Sequence, residues 1–222
     1  MTVFQTMQCG QCGRVRAAQT APLGLCPSCL LATALAMDDG PCPYQVLAPI
    51  GAGASGVTYL AQALTGLGGY VALKILKPGL DADAVLARYR HWKEALAGLK
   101  HPSVAPLRDA GLTADGMVYL ASGYAAGWPL TAIASHPSIG RTERIELTGQ
   151  LVSALDAARQ AGVMHLKLDG SKVKVSNVAG VHATIVGLGS HTIINGADSV
   201  AGGPDADRRA LAKIICQLGV EP

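Results

Sequence analysis

Aromatic side chains are scarce in this chain of 222 residues. They make up 4% of it, and phenylalanine occurs once. The core must therefore be built from Ala, Val, Leu and Ile, and a surface that stacks nucleic-acid bases on aromatic rings is not expected. Charged residues are also sparse, at 15%, whereas half of the chain is hydrophobic. This composition is typical of a globular protein and excludes a disordered one.

The chain also lacks a strong charge of either sign, a membrane-length apolar run and a signal peptide. Its formal net charge is +3, which does not imply a nucleic-acid partner. No uninterrupted apolar run reaches the roughly 18 residues that span a bilayer. The first ten residues have neither the charged start nor the apolar stretch of a signal peptide. We therefore expect a cytoplasmic protein that contacts neither membrane nor nucleic acid.

Four of the six cysteines occur in two closely spaced pairs. The pairs are Cys9-x-x-Cys12 and Cys26-x-x-Cys29, with 13 residues between Cys12 and Cys26. Each pair places two thiolates on one tight turn, and two such turns provide the four sulfur ligands of a tetrahedral zinc site. Disulfides are the alternative, but they suit a secreted protein. The sequence therefore predicts a structural zinc ribbon.

A glycine-rich loop precedes a lysine in a strand-like segment. Residues 50–59 read IGAGASGVTY, and residues 71–74 read VALK. Glycines let backbone amides approach phosphate oxygens without a side-chain clash. A plain hairpin turn is the alternative for the glycines taken alone. Lys74, at the spacing that such loops have, favours a nucleotide-binding loop.

The order of these motifs resembles that of the bacterial branch of the eukaryotic-type Ser/Thr protein kinases, some of which carry a zinc ribbon in front. The resemblance implies an α+β, bilobal protein kinase-like fold with a truncated C-lobe, preceded by a small four-cysteine zinc ribbon. The predicted parts are a ribbon with a short helix over residues 1–37, a linker over 38–43, an N-lobe and hinge over 44–125, and a C-lobe over 126–222. The implied nucleotide contacts are Gly51, Gly53, Gly56, Val57, Ala72 and Lys74.

The positions that carry catalysis in this family are changed. Residues 165–172, HLKLDGSK, align with the family pattern HRDLKPxN. Lys167 then replaces the aspartate base, Asp169 replaces the phosphate-contacting lysine, and Lys172 replaces the magnesium-binding asparagine. Residues 184–190, TIVGLGS, align with TDFGLAS, so that Ile185 replaces the magnesium-binding aspartate. A protonated lysine neither accepts a proton nor binds a cation, and a hydrocarbon cannot replace an oxygen ligand.

We therefore predict a catalytically inactive kinase-like domain, a pseudokinase, that acts as a scaffold or regulator by binding protein. Bound magnesium is not expected. ATP could bind without the metal through Lys74, with help from Lys167 and Lys172, or these two lysines could pair with Asp169. One alternative function is an atypical ATP-dependent Ser/Thr protein kinase that uses Asp169 as a displaced base. Another is a nucleic-acid-binding protein that uses the zinc ribbon.

Three helices and one hairpin turn, at Asp115-Gly116, are predicted in the kinase-like part. In the helix over residues 83–99, the family's glutamate position falls on Trp92. Either Glu94 serves in its place, or Trp92 has replaced the ion pair by packing. The helix over residues 141–161 has an apolar stripe that includes Ile145 and Val152.

The third helix begins near Asp207 and runs to Leu218. The helices that follow it in the family are missing, so its apolar residues should lose part of their cover. An uncovered stripe indicates a protein partner or self-association through the unfinished C-lobe, or else a sequence that is a shortened piece of a longer protein. The residues of this stripe are Leu211, Ile214, Ile215 and Leu218.

Overall fold

Strands dominate the first half of the chain and helices the second half. The computed structural model describes residues 6–8, 15–17, 42–64, 69–134, 136, 139–178, 180–196 and 205–219. The strands are β1 (Thr6–Gln8), β2 (Val15–Ala17), β3 (Tyr44–Gly53), β4 (Gly56–Ala63), β5 (Tyr70–Leu76), β6 (Leu107–Leu112), β7 (Val118–Gly123), β8 (Trp128–Pro129), β9 (Val173–Asn177) and β10 (Val181–Ile185). The helices are α1 (Ala82–Gly98), α2 (Leu130–Ile133), α3 (Arg141–Gln160), α4 (Ser190–Asn195) and α5 (Asp205–Leu218), and a 3₁₀ turn spans Gly170–Lys172.

The chain divides into two compact units. The first unit comprises Met1–Ala82 and Asp109–Ala121, and the second comprises Asp83–Arg108 and Ser122–Pro222. Helices and antiparallel strand pairs occur together, so the predicted α+β class is confirmed.

The first unit is built on a five-stranded sheet with the strand order β3-β4-β5-β7-β6. Strands β3, β4 and β5 pair antiparallel. The side chains of β4 and β5 alternate between a buried and a more exposed face, as expected for a sheet with one face in the core. The core-facing residues are Val46, Val57, Tyr59, Ala61, Val71, Leu73, Ile75, Tyr119 and Ala121. The predicted Asp115-Gly116 turn joins β6 to β7, with Gly116 at φ +78°.

The second unit contains α1 to α5 and a three-stranded sheet in the order β10-β9-β8. Helix α1 covers the predicted segment to within one residue at each end. Helix α3 buries Leu147, Leu151, Ala154 and Ala158, which recur at helical spacing along one face.

The predicted stripe on α3 was wrong at two positions. Ile145 is 50% exposed and Val152 is 39% exposed. The two faces of α3 are both partly apolar, so the periodicity of the sequence did not identify the one that packs.

Helix α5 presents only part of the uncovered apolar stripe that the sequence predicted. Ile214 and Leu218 are fully buried, while Leu211 and Ile215 are half-buried. Arg144 of α3 donates a hydrogen bond from Nη1 to the carbonyl oxygen of Leu218 at 2.8 Å and so caps the end of α5. Because α3 supports this helix from within the same unit, α5 retains its core contacts.

The four paired cysteines and the predicted short helix over residues 30–37 lie outside the described residues. Strands β1 and β2 pair antiparallel, with Gln8 opposite Val15. Within the described residues, no helix is both long and apolar enough to cross a lipid bilayer.

Candidate functional site

The glycine-rich loop of the first unit is a hairpin between β3 and β4. Gly53 pairs with Gly56, and Ala54 and Ser55 form the turn. Gly56 has φ +150°, and a Cβ there would collide with the backbone carbonyl oxygen of Ile75. A Cβ added at Gly51 or at Gly53 would meet no other atom within 4 Å. Packing therefore requires glycine at position 56 alone, and the other two glycines keep the hairpin surface free of side chains.

Lys74 lies on the face of β5 that points away from the core of the first unit. Its Nζ donates a hydrogen bond to Oγ of Ser55, at the tip of the hairpin, at 2.6 Å. Ala72 lies on the same face because side chains two positions apart share a face of a strand. Thr58 of β4 is directly opposite Lys74, so its side chain lies on this face as well.

Val57 is the exception among the predicted nucleotide contacts. It is directly opposite Ile75 and is 7% exposed, with its side chain in the core of the sheet. A one-residue offset reverses the face of a strand residue. Thr58 therefore occupies the position on the Lys74 face that the sequence analysis gave to Val57.

The second unit holds the loop that carries Lys167, Asp169 and Lys172. The loop follows α3 and Gly162, and Asp207 of α5 anchors it. The Asp207 carboxylate accepts hydrogen bonds from the backbone N–H groups of His165, at 2.7 Å, and Leu166, at 2.8 Å. The sequence placed Asp207 at the start of a helix but did not reveal this role. The hydrogen bonds link Asp207 to residues that lie 42 and 41 positions before it in the chain.

His165 is buried beneath this loop and is 3% exposed. Its Nε2 lies 3.0 Å from the carbonyl oxygen of Val186, which can only accept, so that Nε2 carries the proton. Nδ1 is buried and has no hydrogen-bond partner among the described residues. Burial lowers the pKa of His165, and the charge of Lys172 lowers it further, whereas the Val186 carbonyl and Asp207 act in the opposite direction.

Asp169 acts as a local cap. Its Oδ1 accepts a hydrogen bond from the backbone N–H of Ser171 at 2.7 Å, at the start of the 3₁₀ turn. Burial acts to raise the pKa of Asp169, but the hydrogen bonds from Ser171 and the charges of Lys172 and His165 outweigh it, so that the pKa is lowered. A carboxylate with a lowered pKa is a weaker proton acceptor.

The lysines of this region are directed away from the core. Lys167 and Lys172 are exposed, and Lys174 of β9 is half-buried. Burial lowers the pKa of Lys174, and the charge of Lys172 lowers it further. In the described part of the chain, Asp169 forms no ion pair with Lys167 or Lys172 within 4.0 Å. The alternative that these lysines merely pair with Asp169 is therefore not supported.

Ile185 is the last residue of β10 and is 0% exposed. Its N–H donates to the carbonyl oxygen of Ser103 at 2.8 Å, and its own carbonyl oxygen accepts from the N–H of Ala105 at 2.9 Å. It also forms a parallel bridge with Val104. The side chain at this position is thus a core element of the second unit.

Helix α1 packs on α4 within the second unit. Trp92 lines a small apolar cleft together with Leu96, Val163, Met164, Gly189 and Thr192, whereas Glu94 is exposed. The guanidinium of Arg88 donates to the carbonyl oxygens of Ile193, at 2.7 Å, and Ile194, at 3.0 Å. Packing by Trp92, the second of the two alternatives for this position, agrees with this arrangement.

The side chains at the changed positions do not fit magnesium. This ion requires oxygen ligands in octahedral geometry, and the positions hold an ammonium group at Lys172 and a hydrocarbon at Ile185. No group of three or more His, Cys, Asp or Glu side chains that could hold a metal occurs within the residues that the structure describes.

Sequence comparison relates the chain to bacterial Ser/Thr protein kinases. No protein-family model matches it. It is 35% identical over 136 residues to the serine/threonine-protein kinase pkn3 of Myxococcus xanthus, covering 60% of this chain and 24% of that protein. It is 27% identical over 179 residues to the serine/threonine-protein kinase PrkC of Bacillus subtilis, covering 76% of this chain and 27% of that protein. The chain thus spans about a quarter of the length of these curated relatives.

Structural comparison defines the class of fold. The kinase domain of PknI from Mycobacterium tuberculosis matches with a TM-score of 0.62 and 25% identity, over 79% of this chain and 73% of that one. The protein therefore has a mixed α/β protein kinase-like fold with an antiparallel sheet. Its homologues are bacterial Ser/Thr protein kinases.

Proposed function

We propose that this protein is a catalytically inactive kinase-like domain, a pseudokinase, that acts as a scaffold or regulator by binding protein. The observation that carries the proposal is the burial of the Ile185 side chain. An oxygen ligand is replaced there by a hydrocarbon, and that hydrocarbon is a fully buried part of the core. The change is therefore integrated into the packing of the second unit.

The other two changed positions support the same conclusion. Lys167 is exposed and offers an ammonium group where the family has a proton-accepting carboxylate. Lys172 offers a second ammonium group where the family has a magnesium ligand. Neither side chain can take over the role that was lost, because a protonated amine is a donor without acceptor capacity.

A phosphoryl-transfer assay tests the proposal. The protein is incubated with γ-labelled ATP, Mg²⁺ or Mn²⁺, and casein and myelin basic protein as generic substrates. We expect no label on either the protein or the substrates. Transfer that is lost in a Lys74→Met variant, but kept in the Lys77→Met variant, would contradict the proposal, since Lys74 carries the predicted phosphate contact.

The alternative, an atypical kinase with Asp169 as a displaced base, is favoured only by the exposure of that carboxylate. Its hydrogen bond to Ser171 and its lowered pKa oppose a role as base. This alternative predicts measurable transfer that an Asp169→Asn variant abolishes. We expect both proteins to be equally inactive.

We also propose a structural zinc site formed by Cys9, Cys12, Cys26 and Cys29. The antiparallel pairing of β1 and β2 supports it, because Gln8 and Val15, which flank the first cysteine pair in the sequence, are opposite each other. The four thiolates would supply all ligands of a closed tetrahedral site. Elemental analysis should find one zinc per chain. A Cys9→Ser variant should lose it, whereas the matched Cys216→Ser variant, changed on the exposed side of α5, should keep it.

The partner of a scaffold has to meet an exposed surface. Trp128 of β8 is 71% exposed, and Val178, after β9, is 97% exposed. Exposed aromatic side chains are enriched at protein interfaces. Sedimentation velocity over a range of concentrations tests whether the partner is a second copy of the chain. If a Trp128→Ser variant sediments like the parent protein at every concentration, self-association through this surface is ruled out.

A further inference from the structure

The hairpin of β9 and β10 has one apolar and one polar face. Val173 and Ile185 point into the core and are both 0% exposed. Lys174 and Thr184 are half-buried and directly opposite each other, so their side chains share the other face. An ammonium group and a hydroxyl group thus lie side by side on a surface that a core supports from behind.

Lys172 extends this face by one more basic group. Its carbonyl oxygen accepts a hydrogen bond from the N–H of Val186 at 2.8 Å, so the pairing of the two chain segments continues beyond the strand ends. Lys172 precedes Lys174 by two positions, and its charge contributes to the lowered pKa of Lys174. Two like charges are therefore adjacent, and one of them is half-buried.

These two charges have no counter-ion within the part of the chain that the structure describes. Neither Lys172 nor Lys174 forms an ion pair with a carboxylate within 4.0 Å there. Asp169 is close enough to be influenced by Lys172, but its Oδ1 is bonded to the backbone N–H of Ser171. Half-buried positive charge without a partner is unfavourable, and a bound anion would relieve the repulsion.

We propose that Lys172, Lys174 and the hydroxyl of Thr184 bind the phosphate oxygens of a small oligophosphate anion without a divalent cation. The inference rests on the proposed function, because it assigns to lysine charges the neutralising role of the lost metal ions. The ammonium groups donate charge-assisted hydrogen bonds to phosphate oxygens, and Thr184 donates a further one. An anion with several charges suits the site, since it can meet both ammonium groups at once.

Titration calorimetry with sodium tripolyphosphate, in EDTA and at low salt, tests this site. We expect saturable binding with one anion per chain. Lys172→Met and Lys174→Met should each weaken binding by about tenfold or more, the effect of losing a hydrogen bond to a charged group. Lys172→Arg, which keeps the positive charge, should retain most of the affinity of the parent protein. Lys213→Met, which removes an equal charge from the exposed side of α5, should change affinity less than about twofold.

Several outcomes would overturn the inference. These are the absence of binding at low salt, an equal loss in Lys213→Met, and no loss in either Lys172→Met or Lys174→Met at an unchanged melting temperature. The two proposals can fail separately. If the protein neither binds tripolyphosphate nor transfers phosphate, only this inference is contradicted. If it transfers phosphate in the presence of magnesium, the proposed function is contradicted.

Discussion

Asp207 holds Leu166 in a left-handed backbone conformation. Leu166 has φ +64°, the only positive φ of a non-glycine residue among those described, and its N–H donates to Oδ1 of Asp207 at 2.8 Å. A side chain in this conformation costs roughly 1–2 kcal/mol. The second carboxylate oxygen binds the neighbouring N–H of His165. One carboxylate therefore fixes two successive peptide groups and compensates for the strain between them.

Replacing Asp207 should destabilise the second unit. An Asp207→Ala variant leaves two N–H groups without an acceptor, and we expect a loss of about 3 kcal/mol or more in the free energy of unfolding. Urea denaturation measures it. Asp205→Ala removes the same charge from the first turn of α5 at an exposed position and should cost less than about 1 kcal/mol. Equal losses in the two variants would show that Asp207 acts only through the helix dipole.

Introducing an acidic side chain at position 185 should not create a metal site. An Ile185→Asp variant places a carboxylate in the core, and we expect a loss of about 4 kcal/mol or more in the free energy of unfolding, with no binding of Mg²⁺. Ile185→Val, the control, should cost about 1 kcal/mol. Calorimetric titration with Mg²⁺, alongside thermal unfolding, measures both effects. A folded Ile185→Asp protein that binds Mg²⁺ would contradict the buried placement of this side chain.

Local patterns were enough to predict the three longest helices and the turn between β6 and β7. The helix predicted over residues 83–99 is α1, Ala82–Gly98, and the Asp115-Gly116 turn joins β6 to β7. Apolar periodicity and turn residues are properties of short segments, which is why they are readable in a single sequence. The kinase-like fold was implied by the resemblance of the motif order to that of the bacterial Ser/Thr protein kinases.

The site was less predictable because it depends on faces and distant contacts. A shift of one residue along β4 decides whether Val57 or Thr58 shares the face of Lys74. The anchoring of Leu166 by Asp207 joins residues far apart in sequence, for which no local signal exists. The cover over Ile214 and Leu218 likewise depends on tertiary packing, which the pattern of α5 alone does not reveal.

The contact between Arg88 and α4 should control local opening of that helix. Arg88 donates to two carbonyl oxygens near the C-terminal end of α4, where a positive charge also favours the helix dipole. In an Arg88→Ala variant we expect amide hydrogen exchange in residues 190–195 to become faster by about tenfold or more. Arg90→Ala, changed at an exposed position of the same helix, should leave these rates unchanged. Equal acceleration in both variants would assign the effect to α1 as a whole.

The buried imidazole of His165 should make stability depend on pH in a defined window. Burial lowers its pKa below the ordinary value of 6.5, so the unfolded chain takes up a proton before the folded protein does. The unfolded state then binds more protons, and stability falls as pH decreases below about 6.5, by up to about 1.4 kcal/mol per pH unit for this group. The pKa of Asp169 is lowered from 3.8, so its titration lies below a window of pH 5 to 7.5.

Urea denaturation between pH 5 and 7.5 measures this slope, and a His165→Gln variant should reduce it. The comparison uses the slope because the substitution in a buried site also lowers stability at every pH. His136→Gln, at an exposed position, serves as the control and should keep the slope of the parent protein. The ring protons of His165, followed by NMR in the folded protein, should titrate below pH 6.5. A titration midpoint above pH 6.5 would contradict the prediction, because the buried Nδ1 has no hydrogen-bond partner among the described residues that would favour its protonation.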